Sequence, residues 1–101
     1  MKRKKFVNRM NSISEPMSEK KIKEHIATHH RPNDMAVCAG ELAELSLELT
    51  RFQRGKMNPV DFLQELAHVQ WAVWSLQNMF GIEDANLRRA IQASIGREDK
   101  K

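Results

Sequence analysis

The chain has 101 residues, a formal net charge of +4, three prolines, four glycines and one cysteine. This length allows one small domain, the lone cysteine excludes an internal disulfide framework, and no apolar run approaches the length that spans a membrane. Scarce proline and glycine, with no run of alternating β-branched residues, predict an all-α protein. With no apolar segment of signal-peptide length at its start, the expected location is the cytoplasm.

Residues 1–17 open with Lys2, Arg3, Lys4, Lys5 and Arg9, and continue as Asn-Ser-Ile-Ser-Glu-Pro. They predict a basic flexible arm. Only Phe6 interleaves the charges, and no helix-turn-helix with a basic recognition helix follows, so a nucleic-acid partner is not expected.

Ser18 is an N-cap, and Glu19 suits the positive end of the helix that follows it, SEKKIKEHIATHH. Ile22 and Ile26 alone are apolar at helical spacing, which places this helix at the edge of the domain. Arg31-Pro32 is its stop, because the residue before proline resists helical geometry. His25 and His29 stand one turn apart with His30 beside them. A polar, exposed helix end explains them better than a metal pair.

Asn33 or Asp34 caps a second helix running to about Arg54. At 100° per residue, Cys38, Leu42, Leu45, Leu49 and Phe52 form one stripe, and Glu41, Glu44 and Glu48 another along its border. The position of Cys38 in the stripe predicts an ordinary buried thiol. Gly55 supplies a left-handed stop.

Asn58-Pro59-Val60-Asp61 then reads as cap, first-turn proline and first-turn acid of a third helix, which ends at Gly81. Phe62, Leu66, Val69, Val73, Leu76 and Phe80 make its main apolar stripe, with Glu65 on the border and His68 one step further round. Leu63, Ala67, Trp71 and Trp74 form a second apolar face, for which a second subunit is the expected cover; the tryptophans fit that interface better than base stacking. A last helix, from Glu83 or Asp84 to Ile95, carries Leu87, Ile91 and Ile95, and a charged tail follows from Gly96. The expected domain covers residues 18–97, with 98–101 as tail. The expected architecture is an antiparallel bundle of about four helices, completed by dimerisation.

Glu41-Leu-Ala-Glu44 and Glu65-Leu-Ala-His68 place ligand-type side chains three apart on facing helices, an arrangement with which helical bundles hold metal. On spacing alone, boundary acids that reach water or pair with Arg51 and Lys56 account for the same residues.

In series, Gly40-Glu41-Leu-Ala-Glu44-Leu, Arg54-Gly55-Lys56, Gln64-Glu65-Leu-Ala-His68-Val and Phe80-Gly81-Ile82 resemble the all-α NTP pyrophosphatase family, MazG-like branch, over roughly residues 22–97. The resemblance implies hydrolysis of nucleoside triphosphates to a monophosphate and pyrophosphate by a homodimer or homotetramer. It implies Mg²⁺ held by Glu41, Glu44, Glu65 and position 68, with Glu41, Glu44 and Glu65 as the catalytic acids. Arg54 and Arg97 stand at family-like phosphate-binding positions, and Arg51 and Lys56 are further candidates by proximity.

The chain departs from the family pattern at three places. Gly40 replaces the first acid of EExxE, His68 replaces the aspartate of ExxD, and Ser94 replaces a late lysine. Imidazole suits Mn²⁺, Zn²⁺, Fe²⁺ or Ni²⁺ better than Mg²⁺, so either the metal has changed or the site has been emptied. A hydrogen-bonded structural histidine is equally in keeping with this boundary position. The alternative to the enzyme is a catalytically degenerate relative that binds a nucleotide or a protein.

Overall fold

The computed structural model describes residues 2–29, 34–56 and 58–99, without the side chains of Lys2, Arg97, Glu98 and Asp99. The described residues are all-helical: α1 (Lys2–Asn11), α2 (Glu19–Thr28), α3 (Asp34–Gln53), α4 (Pro59–Phe80) and α5 (Asp84–Asp99). The expected stop at Arg31-Pro32, the cap at Asn33 and the histidine at position 30 lie outside the described residues.

Local chemistry sets most of the boundaries. Ser18 caps α2 by accepting from the Lys21 N–H at 3.2 Å. Asn58 caps α4 by accepting from Val60 and Asp61, with Pro59 in the first turn, where its missing N–H costs no hydrogen bond. Gly55, at φ 70°, ends α3: its N–H reaches the Phe52 carbonyl, and the Lys56 N–H reaches that of Arg51. These two bonds satisfy carbonyls that the helix end would otherwise leave open.

Gly81, at φ 64°, turns α4 in the same way, and the Ile82 N–H bonds the Gln77 carbonyl at 2.9 Å. Asp84, which opens α5, accepts from both Gln77 and Lys23, so the α4–α5 corner is tied back to α2.

α4 is the central element, with α1, α2 and α3 each packed on it. α3 and α4 run antiparallel: Cys38 donates to the Ala72 carbonyl near one end, and Glu41 meets His68 one turn further along. The expected buried thiol is found, since Ile26, Cys38 and Ala72 form the centre where α2, α3 and α4 meet.

Three expectations are corrected. Where a flexible arm is expected, residues 2–11 are helical, and Arg3 makes a two-pronged ion pair with Asp61 at 2.7 and 2.9 Å. The side-chain partner on α4 gives the basic segment something to dock on. Second, α5 does not stop at Ile95. It continues through Gly96 to Asp99, because one glycine weakens a helix by only ~1 kcal/mol and does not break it. Third, the apolar stripes expected in the core are largely open in the single chain: Leu42, Leu49 and Leu66 are exposed, and Phe52 and Phe80 are 58% and 62% accessible. Each helix of the α3–α4 pair covers one face of the other, and the chain has too few helices to cover the remaining faces. α5 has no helix packed along it among the described residues, and Ile91 and Ile95 on it are exposed.

Candidate metal centre

Glu41 and Glu44 lie one turn apart on α3, and Glu65 and His68 lie one turn apart on α4. Antiparallel packing brings the two pairs together. One ligand atom from each of the four residues falls within 4.8 Å of all the others. These are the four residues singled out in the sequence. Glu41, Glu65 and His68 are half-buried, whereas Glu44 is at the open edge.

At the centre of the cluster, His68 Nδ1 lies 2.9 Å from Glu41 Oε2 and 3.8 Å from Glu65 Oε2. All three atoms are shut off from solvent, and none has a hydrogen-bond partner of acceptable geometry. A structural histidine commonly has its ring nitrogen satisfied; here Nδ1 meets the Glu41 carboxylate at 2.9 Å, without the alignment of a hydrogen bond. Donor atoms that converge in this way could hold a cation.

Electrostatics agree. Burial pushes the Glu65 carboxyl up to about 7, helped by the neighbouring Glu44 and Glu41 and opposed by His68. Three acids in so small a space resist full ionisation unless a cation compensates them.

The third acid of the α3 border stripe behaves differently. Glu48 is 6% accessible and does not join the cluster; it accepts from Arg51 one turn on. Spacing alone put Glu48 in the same stripe as Glu41 and Glu44. One further turn along α3 brings it near enough to the Arg3–Asp61 pair for its charge to act on Arg3.

A cavity of about 500 Å³ opens against the cluster, with Glu41 and His68 in its wall. Ile26, Val37, Cys38 and Ala72 give it an apolar floor, and Trp71 flanks it. His25, His29 and Asp34 stand at the polar side. The His25 and His29 rings stack at 3.8 Å, and His29 Nδ1 lies 2.9 Å from the His25 carbonyl oxygen. The two histidines are therefore cavity-wall groups and take no part in the four-residue cluster. The tryptophans, grouped together by sequence, separate: Trp71 faces the cavity, whereas Trp74 lies under the Lys23 ammonium at 5.4 Å. The cavity was not legible in the sequence, because it depends on how α2 crosses the α3–α4 pair.

Of the four candidate phosphate-binding residues, Arg51, Arg54 and Lys56 are placed apart from this cavity. Arg51 is two turns beyond Glu44, ~10 Å along the axis, and is engaged with Glu48. Arg54 and Lys56 are exposed at the α3–α4 turn, which is ~15–20 Å along α3 from Glu44 and Glu41 and ~9 Å along α4 from Glu65. The Arg97 side chain lies outside the described residues. Ser94 bonds back to the Ala90 carbonyl.

No helix among the described residues is long and apolar enough to cross a membrane. In comparisons with protein families, with curated proteins and with solved structures, nothing matches this chain.

Proposed function

We propose that the chain is a metal-dependent nucleoside triphosphate pyrophosphohydrolase of MazG-like type, working as a homodimer in the cytoplasm. The observation that supports this reading is the convergence of Glu41, Glu44, Glu65 and His68 within 4.8 Å beside a ligand-sized cavity. The serial resemblance of the motifs supplies the substrate class.

A bound divalent cation would neutralise phosphate charge and acidify a water molecule, as metal ions do in phosphoanhydride hydrolysis. The protein's own groups do the rest. Glu41, Glu65 and His68 would hold the cation from the closed side, and Glu44 lies at the open edge, facing solvent. Without a cation, burial and the neighbouring Glu44 hold the Glu65 carboxyl up to about 7, so a cation entering the cluster would displace its proton. The cavity takes the organic part of the substrate, with Trp71 and the apolar floor against its faces. A second copy covers the exposed stripes of α3, α4 and α5, which are too extensive for a lone small chain.

The test is pyrophosphate release from a panel of (d)NTPs with Mg²⁺ or Mn²⁺. Turnover is expected to fall at least ~100-fold in Glu65→Gln and in Glu44→Ala. No release from any nucleotide with either metal would sink the enzyme.

One observation favours a second reading, a binding module without turnover. Among the described residues no lysine or arginine lines the cavity, and those that flank the cation site offer a triphosphate acids and histidines. That reading predicts nucleotide or partner binding that survives Glu44→Ala, with no product formed.

A further inference from the structure

We propose that the Glu41–Glu44–Glu65–His68 cluster is selective for a first-row transition dication over Mg²⁺, with His68 Nδ1 as its nitrogen donor. This rests on the cluster being a metal centre, and it commits that centre to a class of metal. Three observations support it.

The first is spacing. Two neighbouring ligands on one octahedral cation, each ~2.1 Å from it, stand about 3.0 Å apart. Nδ1 of His68 and Oε2 of Glu41 are 2.9 Å apart, but not aligned for a hydrogen bond. They sit at the separation of adjacent ligands. The whole set, within 4.8 Å, slightly exceeds the ~4.2 Å span across such an ion, so the cluster needs only a small contraction to close.

The second is donor chemistry. Mg²⁺ prefers an all-oxygen octahedron, gives up its waters reluctantly and is commonly held by one or two carboxylates. Here three carboxylates and an imidazole converge, and the Glu41, Glu65 and His68 atoms that meet are shielded from water. Giving up hydration for a nitrogen donor is unfavourable for Mg²⁺ and favourable for Mn²⁺, Fe²⁺, Co²⁺ or Zn²⁺.

The third is arrangement. Glu65 and His68 form a Glu-x-x-His pair on α4, and α3 presents glutamates to it. Helical bundles that hold iron or manganese use this i, i+3 pair with glutamates from facing helices.

The experiment is calorimetric titration of metal-free full-length protein with Mn²⁺, Zn²⁺ and Mg²⁺ separately, at one pH and without nucleotide. Mn²⁺ and Zn²⁺ are expected to bind at least ~10-fold tighter than Mg²⁺. His68→Asp, which restores an all-carboxylate set, is expected to narrow or reverse that ratio. Helical content by circular dichroism confirms that the variant folds, and His68→Asn serves if it does not. Pulsed electron paramagnetic resonance of the Mn²⁺-loaded protein should show nitrogen coupling that either substitution removes.

Equal affinities for Mg²⁺ and Mn²⁺, a ratio untouched by His68→Asp, or Mn²⁺ without nitrogen coupling would each overturn the proposal. Pyrophosphate release with Mg²⁺ would still stand as evidence for the hydrolase in those cases. Absence of binding by any of the three cations overturns both.

Discussion

His68 Nδ1 and Glu41 Oε2 face each other across the α3–α4 interface at 2.9 Å, with no hydrogen bond joining them. They are 27 positions apart in the chain and are brought together only by the antiparallel pairing of the two helices. Beside them is Glu65, raised to about 7 from an ordinary 4.5, first by burial and then by Glu44.

A carboxyl raised in this way makes the metal-free protein most stable while it is protonated. Its contribution is complete below pH 4.5 and is lost as the pH rises through about 7. Urea unfolding of metal-free protein should therefore show stability falling over that window, by at most ~3 kcal/mol from this group. Saturating cation should abolish the fall. Glu65→Gln should remove the pH dependence and weaken metal binding together.

Gly40 sits inside α3, and a Cβ placed on it would meet nothing within 4 Å. Gly40→Ala should raise unfolding free energy by ~0.5–1 kcal/mol, read as a higher urea midpoint at unchanged slope. Metal affinity should not change, because the added methyl touches none of the ligands.

Gly81 is at φ 64°, with equally open space around it, yet the expected sign is opposite. Gly81→Ala forces a side chain into left-handed backbone and should cost ~1–2 kcal/mol in the same assay. An unchanged or higher midpoint would show that the α4–α5 corner does not depend on this conformation.

The Arg3–Asp61 pair holds α1 to the start of α4. Hydrogen bonding from Arg3 keeps the Asp61 carboxyl below its ordinary 3.8. The contact is therefore present above pH 3.8 and lost as acid carries the pH down through that lowered value. Asp61→Asn should release α1, seen as faster amide exchange across residues 2–11 while protection in α3 and α4 persists.

The helix starts and stops that rest on local chemistry were legible in the sequence. Ser18, Asn58-Pro59, Gly55 and Gly81 each act through neighbours two to five residues away, and each does what its residue type requires. The four-residue cluster was legible too, because i, i+3 spacing on two consecutive helices forces the pairs together once those helices pack. What depends on long-range packing was not. Arg51 at i+3 marks Glu48 for pairing, but nothing in the order of residues shows that Glu48 is buried and Glu44 open to water. The docking of α1 needed Asp61, 58 residues away, as a partner. The cavity wall combines α2, α3 and α4, so no single stretch encodes it.

The short turn at Gly55 gives the metal centre a further property. Glu41 and His68 are the ends of one loop, so a cation shared between them ties the hairpin shut much as a cross-link would. Because the unfolded chain does not hold the four ligands together, a bound ion would stabilise the folded hairpin by its own binding free energy, the more so the further its concentration exceeds its Kd. For a chain with so little buried apolar surface of its own, the ion would serve as a removable staple. Chelation would then loosen the α3–α4 hairpin as well as empty the site.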